Sequence, residues 1–212
     1  MKSRFFLFFF LASLLPGIQV TPAKAQLSDQ PAGIWFKNTN STLKRFAYSQ
    51  AILWPTSFGA HLYVYITEDN IGNLPRIYTM RTYKRTFTLP PVWDTDSLVW
   101  NYAVHPVMGS FSYLAYRNRR AHWAEAFAGT AINSAIYEYI IAGATQQPSI
   151  NDLIVTPVLG SLLGEGIYQL KKQLLRDQHL NTFEKILITI ADPFEVFYYG
   201  FNYNKFSKVK YR

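Results

Sequence analysis

His105, Glu138 and Asp152 are the residues with which this chain could do chemistry. Between Glu125 and Glu165 the only formal charges are Glu138 and Asp152. An ionised carboxylate in apolar surroundings costs several kcal/mol or shifts its pKa, so it usually has a partner. His105 is the nearest basic candidate upstream in the same block. Together they suit proton transfer. Glu138 would be a general acid or base of raised pKa, His105 its proton partner, and Asp152 the group that orients the imidazole. Ser110 or Ser112 would be the nucleophile of such a site, although no Gly-x-Ser-x-Gly elbow supports either. The same three residues also suit a structural hydrogen-bond network, because ion-pair networks perturb pKa values too. That structural role is the expected one.

Helices must position them. Leu89-Pro90-Pro91 is rigid punctuation, and the sequence turns helical after it. Asp96 is a plausible N-cap for a first helix, which Pro106 would kink or restart. A second helix is predicted from about Ala121 to Ala144, and Ser149-Ile150-Asn151-Asp152 opens a third that Pro157 interrupts or kinks. Ser149 with Asp152 resembles a capping box. Asn181-Thr182-Phe183-Glu184 starts a fourth helix, which Asp192-Pro193 breaks. Helical spacing puts a small residue in line with each polar one: His105, Gly109 and Ser112; Ala131, Ser134 and Glu138; Asp152, Thr156, Gly160 and Gly164. Small residues let helix backbones approach closely. The expected fold is therefore mainly α, a compact bundle of about four helices packed through Gly, Ala and Ser faces.

Upstream, His61 to Thr67 is β-branched and aromatic, and Ile77 to Leu89 alternates polar and apolar residues. A small N-terminal β hairpin across Asn70 to Pro75 is expected, with a helical reading of Leu43 to Leu53 left open. Residues 26–42 are polar and turn-rich, a flexible segment. The first 25 residues read as a cleaved secretory signal: Lys2 and Arg4, an apolar run from Phe5 to Leu15, then Ala23-Lys24-Ala25. Residues 43–212 form one envelope domain, with its helical core at about 96–200.

Losing Lys2, Arg4 and Lys24 lowers the formal charge from +8 to +5, a surplus that favours anionic partners such as lipid headgroups but is too small to imply nucleic acid. The chain has no Cys, which excludes disulfides, thiolate metal sites and cysteine nucleophiles. Neither a cofactor nor a metal is expected. His122 and Glu125 stand three apart but read as a solvated pair beside Arg119 and Arg120. Aromatic residues make up 17 % of the chain, which suits a boundary with one apolar and one wet side. The basic tail Lys205, Lys208, Lys210 and Arg212 reads as solvated or membrane-facing.

Asp96-Ser97, Asn101-Tyr102, His105-Pro106-x-x-Gly109-Ser110, Tyr113, Ala115-x-Arg117, Glu138, Pro148-Ser149-Ile150-x-Asp152, Thr156-Pro157 and Gly164-Glu165 form one pattern. Over about residues 89–170 it resembles the bacterial envelope family called domain of unknown function 3943. The resemblance implies an envelope location and no activity. Within this run Asn101, Ser110, Arg117, Ser149 and Glu165 are candidate binding residues. A looser likeness is to VanZ-like membrane proteins, from which this chain departs in lacking clear multiple spans and in having Thr156 where an Asn is expected.

Two functions follow as expectations. One is a non-enzymatic, membrane-associated envelope protein, periplasmic and at the outer membrane, partnered by membrane lipid or an envelope protein. The other is a hydrolase or transferase acting on a lipid or lipid-linked headgroup through Glu138.

Overall fold

The computed structural model describes residues 41–67, 80–176 and 179–208. The signal segment, almost all of the flexible segment 26–42, the turn of the expected hairpin, and Lys210 and Arg212 lie outside the described residues. Eight α-helices follow one another along them, and no strand forms among them. These are α1 (Thr42–Thr67), α2 (Met80–Thr88), α3 (His105–Arg117), α4 (Trp123–Ile136), α5 (Ile150–Leu174), α6 (Thr182–Ala191), α7 (Pro193–Tyr198) and α8 (Tyr203–Phe206).

Both segments expected to pair as a hairpin are helical where they are described. Residues 61–67 continue α1, and 80–88 form α2. β-Propensity is a weak, context-dependent preference, whereas extending a helix already nucleated adds a hydrogen bond per residue fixed. Pro55 sits inside α1 and removes one such donor. The Thr56 hydroxyl donates to the carbonyl of Ile52 at 2.7 Å, so that turn keeps a bond. In α2 the polar alternation has a helical use. Tyr83 donates to the carbonyl of Ile140 at 2.7 Å, and buried Thr86, three residues on, to that of Gly143 at 2.6 Å.

The centre of the molecule is the pair α3 and α5, which run parallel: His105 faces Thr156, Gly109 faces Gly160 and Tyr113 faces Gly164. A Cβ on Gly109 would stand 2.2 Å from the carbonyl oxygen of Thr156, and one on Gly160 would stand 2.6 Å from Cα of Gly109. Nothing larger than glycine fits there, so the small-residue stripes set this contact. α4 packs against both helices, and Gly129 lies under the ring of Tyr116. α3 ends where Arg120 takes a left-handed φ of 63°, with the Ala121 N–H bonded to the Tyr116 carbonyl at 3.1 Å.

The start of the first core helix needs a correction. The Ser97 hydroxyl, and not Asp96, accepts from the Trp100 N–H, at 3.4 Å. The chain then winds as a π-helix over Trp100–Val104 before α3. The wider turn accommodates Pro106, which has no N–H and whose ring crowds the carbonyl one turn back. A second π turn, Tyr137–Ile141, follows α4, and Ala142–Ala144 closes it with a tighter 3-10 turn. The Asn181–Glu184 capping box forms in full, and Asp192 ends α6 and caps α7.

Candidate functional site

The three residues singled out by charge and spacing meet at the N-terminal end of α5. His105 Nε2 lies 3.4 Å from Asp152 Oδ2, and its Nδ1 lies 3.4 Å from the Thr156 hydroxyl. Glu138 reaches them through the backbone. Its Oε2 accepts from the Ser149 N–H at 2.8 Å, while the Ser149 hydroxyl accepts from the Asp152 N–H at 3.1 Å. The capping box expected of Ser149 and Asp152 is thus half formed. Glu138, from another helix, takes the acid's usual place and leaves the Asp152 carboxylate to face the imidazole.

Asp94 completes the cluster, a residue that charge isolation and helical spacing passed over. Its Oδ2 accepts from the Ser149 hydroxyl in a short hydrogen bond, and its Oδ1 from Asn101 Nδ2 at 2.8 Å and from the Asp96 N–H at 3.1 Å. The segment carrying it is pinned by one parallel bridge. The Val92 N–H donates to Pro148 at 2.9 Å, and the Ile150 N–H donates to Val92 at 2.8 Å. A usable signal was present in Asp94-Thr95-Asp96 directly after Pro90-Pro91, where a rigid lead-in fixes the position of two acids. Each π turn of the described residues supplies one member, Asn101 and Glu138. Such rare turns re-aim side chains and concentrate at functional sites.

The electrostatics are lopsided toward acid. Glu138 is 0 % exposed, and burial pushes its carboxyl up to about 8, with Asp152, Asp94 and Asp96 adding to the rise against the Ser149 hydrogen bond. Burial likewise lifts Asp152 to about 7, helped by Asp94 and Asp96. For Asp94 burial acts upward too, but the hydrogen bonds from Ser149, Asn101, the Asp96 backbone and Asn151 outweigh it and hold the group below its ordinary value. Burial holds the His105 imidazole below its usual value despite Asp96 and Asp94. Three buried oxygens accept no hydrogen bond: Asn101 Oδ1, Glu138 Oε1 and Asp152 Oδ1. The arrangement can exchange protons near neutral pH and can accept a donor-rich or cationic group.

The remaining candidates sit elsewhere. Of the five candidate binding residues, Asn101 and Ser149 belong to this cluster. Ser110 is buried at the crossing of α3 and α5, where its hydroxyl donates to the Val107 carbonyl at 2.7 Å. The Ser112 hydroxyl accepts from Asn133 at 2.7 Å. Neither serine is bonded to His105, so neither is set up as a nucleophile. Arg117 and Glu165 form their own forked pair at 2.7 and 3.0 Å, joined by Tyr113 at 2.7 Å. Twelve residues of helix put that pair about 18 Å along α3 from His105.

The region around Arg119 differs from expectation as well. His122 caps α4, accepting from the Ala124 N–H, and Glu125 pairs with Arg45 of α1 at 2.7 Å, so the two do not act together. Arg119, beside them in sequence, is fully buried against Glu195 and stacks on Tyr198, 3.8 Å from the ring centroid. Lys171 is buried against Asp192 and donates to Asn118 Oδ1 at 2.7 Å. The missed signal lay in α5, where Gly160, Gly164 and Lys171 continue one buried face at helical spacing.

Residues 90–194 match the family described as Domain of unknown function (DUF3943), so the resemblance seen in the sequence holds across the whole acidic cluster. Neither the search of curated proteins nor that of solved structures found a match.

Proposed function

We propose that this chain, whose residues 90–194 carry that domain, is a membrane-associated protein of the bacterial cell envelope, and that its acidic cluster is a binding and positioning centre. One observation supports the membrane reading above all: the outer faces of α5 and α6 carry apolar stripes while several charged side chains are buried. Phe183, Ile186 and Ile190 recur at helical spacing on α6 and are 71 %, 54 % and 72 % exposed. Ile154, Val158 and Leu162 do the same on α5. Meanwhile Arg119, Lys171, Glu138, Asp192 and Glu195 are buried. A soluble monomer rarely exposes apolar surface in continuous stripes, whereas a lipid-facing surface requires it. Exposed Arg81, Lys84 and Arg85 on α2, with Lys205 and Lys208 at the other end, suit anionic headgroups.

Fractionation in high salt tests the reading. The protein stays with the membranes, and Phe183→Ser with Ile190→Ser moves part of it into the soluble extract without lowering its melting temperature. Complete release of the unaltered protein by salt overturns it. Cleavage after Ala25 belongs to the same reading, and N-terminal sequencing that begins at Gln26 is the expected result.

A second reading rests on the cluster itself. Glu138, raised to about 8, would be a general acid or base acting on a lipid headgroup, with His105 and Asp152 beside it. Glu138→Gln tests catalysis by turnover alone: a folded variant that no longer turns over a lipid headgroup favours this reading, and one with full turnover sinks it.

A further inference from the structure

We propose that the acidic end of the α3–α5 pair binds a primary ammonium group, with Glu138, Asp152 and Asn101 as its acceptors. The lipid source named below rests on the membrane reading above. Glu138 is 0 %, Asp152 2 % and Asn101 4 % exposed, and each holds one oxygen that accepts nothing. The partner atom of each side chain fixes where that oxygen lies. Glu138 Oε2 is on the Ser149 N–H, Asp152 Oδ2 is beside His105, and Asn101 Nδ2 is on Asp94. All three side chains therefore belong to one hydrogen-bonded network, joined through Ser149 and Asp94. Leaving a buried acceptor unmet costs about 1–3 kcal/mol, and more for a charge, so three together mark a place built for donors.

The chemistry of the donor follows from charge and spacing. Asp94, Asp96, Asp152 and Glu138 gather here, whereas Arg45, Arg117, Arg119 and Lys171 pair with other acids. The missing complement is a cation. Among the described residues no three His, Asp or Glu side chains sit close enough to hold a metal ion. A primary ammonium suits such acceptors, because its three N–H donors each serve a separate oxygen at about 2.8 Å. Burial keeps Glu138 and Asp152 near 8 and 7, so an arriving cation would ionise them and release protons at neutral pH.

The approach is from the side of Asp96, Tyr102 and His105, which reach the surface. Beside it Leu98, Val99 and Trp100 present exposed apolar side chains next to Asn101. That pairing of a buried acidic cluster with an exposed apolar shoulder fits an aminophospholipid, with the amine inward and the acyl region along the shoulder. A free amine shares the chemistry of the cluster and makes no use of the shoulder.

The full chain in nonionic detergent is titrated with ethanolamine, choline and calcium chloride, following the backbone amide resonance of Ser149. It is floated in parallel with vesicles of phosphatidylethanolamine or phosphatidylcholine, each mixed with phosphatidylglycerol. Ethanolamine shifts the resonance saturably. Choline, which has no N–H, needs roughly tenfold more or does nothing, since each charge-assisted hydrogen bond is worth about a factor of ten. Glu138→Gln and Asn101→Ala each weaken the ethanolamine response by a similar factor, and the second variant keeps every acid, so a folding defect in one does not hide the result. Preferential flotation with phosphatidylethanolamine assigns the lipid source. An ethanolamine response without flotation keeps the ammonium site, assigns a soluble amine and removes the membrane reading. Equal flotation with both lipids and no ethanolamine shift overturns the site and leaves the membrane reading standing. A stronger response to calcium, or an equal one to choline, overturns the site too.

Discussion

Two charge clusters are buried at opposite ends of the parallel α3–α5 pair, and they are built on opposite rules. At the C-terminal end Arg119 meets Glu195, and Lys171 meets Asp192, with Asn118 donating to Asp192 at 2.8 Å and accepting from Lys171 at 2.7 Å. Tyr48 and Tyr198 cover the guanidinium, and an aromatic core of Tyr48, Tyr198, Tyr199 and Phe206 surrounds it. Each acid has its cation. At the N-terminal end only Asp152 faces an imidazole, Glu138 and Asp94 accept from Ser149, and buried oxygens are left over. A charge-matched network holds the fold, because an incoming charge must displace a counter-charge to enter, although Arg119 Nε donates to nothing. An unsaturated one retains capacity to bind. Under the binding proposal, the difference gives structure to the charge-matched end and recognition to the other.

The largest test of that contrast is to unpair the saturated end. Arg119→Leu leaves Glu195 buried without its cation, which is expected to cost about 3–5 kcal/mol. Thermal or urea unfolding checks it, and a loss under about 1 kcal/mol would erase the distinction. Removing both members, Arg119→Leu with Glu195→Leu, should recover much of the loss, as buried pairs replaced by apolar groups often do.

The unsaturated end should respond less, and by atom rather than by charge. Glu138→Leu strips the Ser149 N–H of its acceptor, at about 1–3 kcal/mol. Glu138→Gln keeps that acceptor, removes the cost of an ionised buried acid, and so folds as well as the parent or better above neutral pH. His105→Ala and Glu138→Ala should couple in a double-mutant cycle through the chain Glu138–Ser149–Asp152–His105, and strictly additive effects would separate them into independent sites.

pH gives a third, smaller effect with a definite sign. Glu138 and Asp152 have folded values raised to about 8 and 7 from 4.5 and 3.8. The folded state therefore binds more protons than the unfolded state in between. Their contribution is fully present below about 4 and is lost as pH rises through 7 and 8. Asp94 and Glu165 lie below their ordinary values and act the other way, losing their contribution as pH falls below the unfolded values of 3.8 and 4.5. Unfolding at pH 5 and at pH 9 should show the higher stability at pH 5, with Glu138→Gln flattening the slope. A slope unchanged in that variant would mean that Glu138 does not carry it.

Smallest of all should be the Arg45–Glu125 pair, half-exposed at 24 % on the acid side. Glu125→Gln is expected to cost no more than about 1 kcal/mol.

Much of this molecule was legible from local chemistry. Glycine and serine spacing foretold that α3 and α5 would touch along Gly109, Gly160 and Gly164, since only residues without bulk permit that approach. Isolated acids in an uncharged run foretold that Glu138 and Asp152 would be buried with His105 near them. Asn181 to Glu184 announced its helix through a motif that closes on itself. What local pattern could not decide was anything requiring a partner distant in sequence. The strand-like stretch at 61–67 is helical because α1 already ran into it. Glu138 usurps the acid position of the Ser149 cap from a different helix. Arg119 and Lys171 resemble surface cations until Glu195 and Asp192 arrive from the far end of the chain. Sequence determined which residues could not stay alone, because isolated burial is costly wherever it occurs. Only the tertiary structure decided which of them would be matched, because pairing depends on where separate helices bring their side chains.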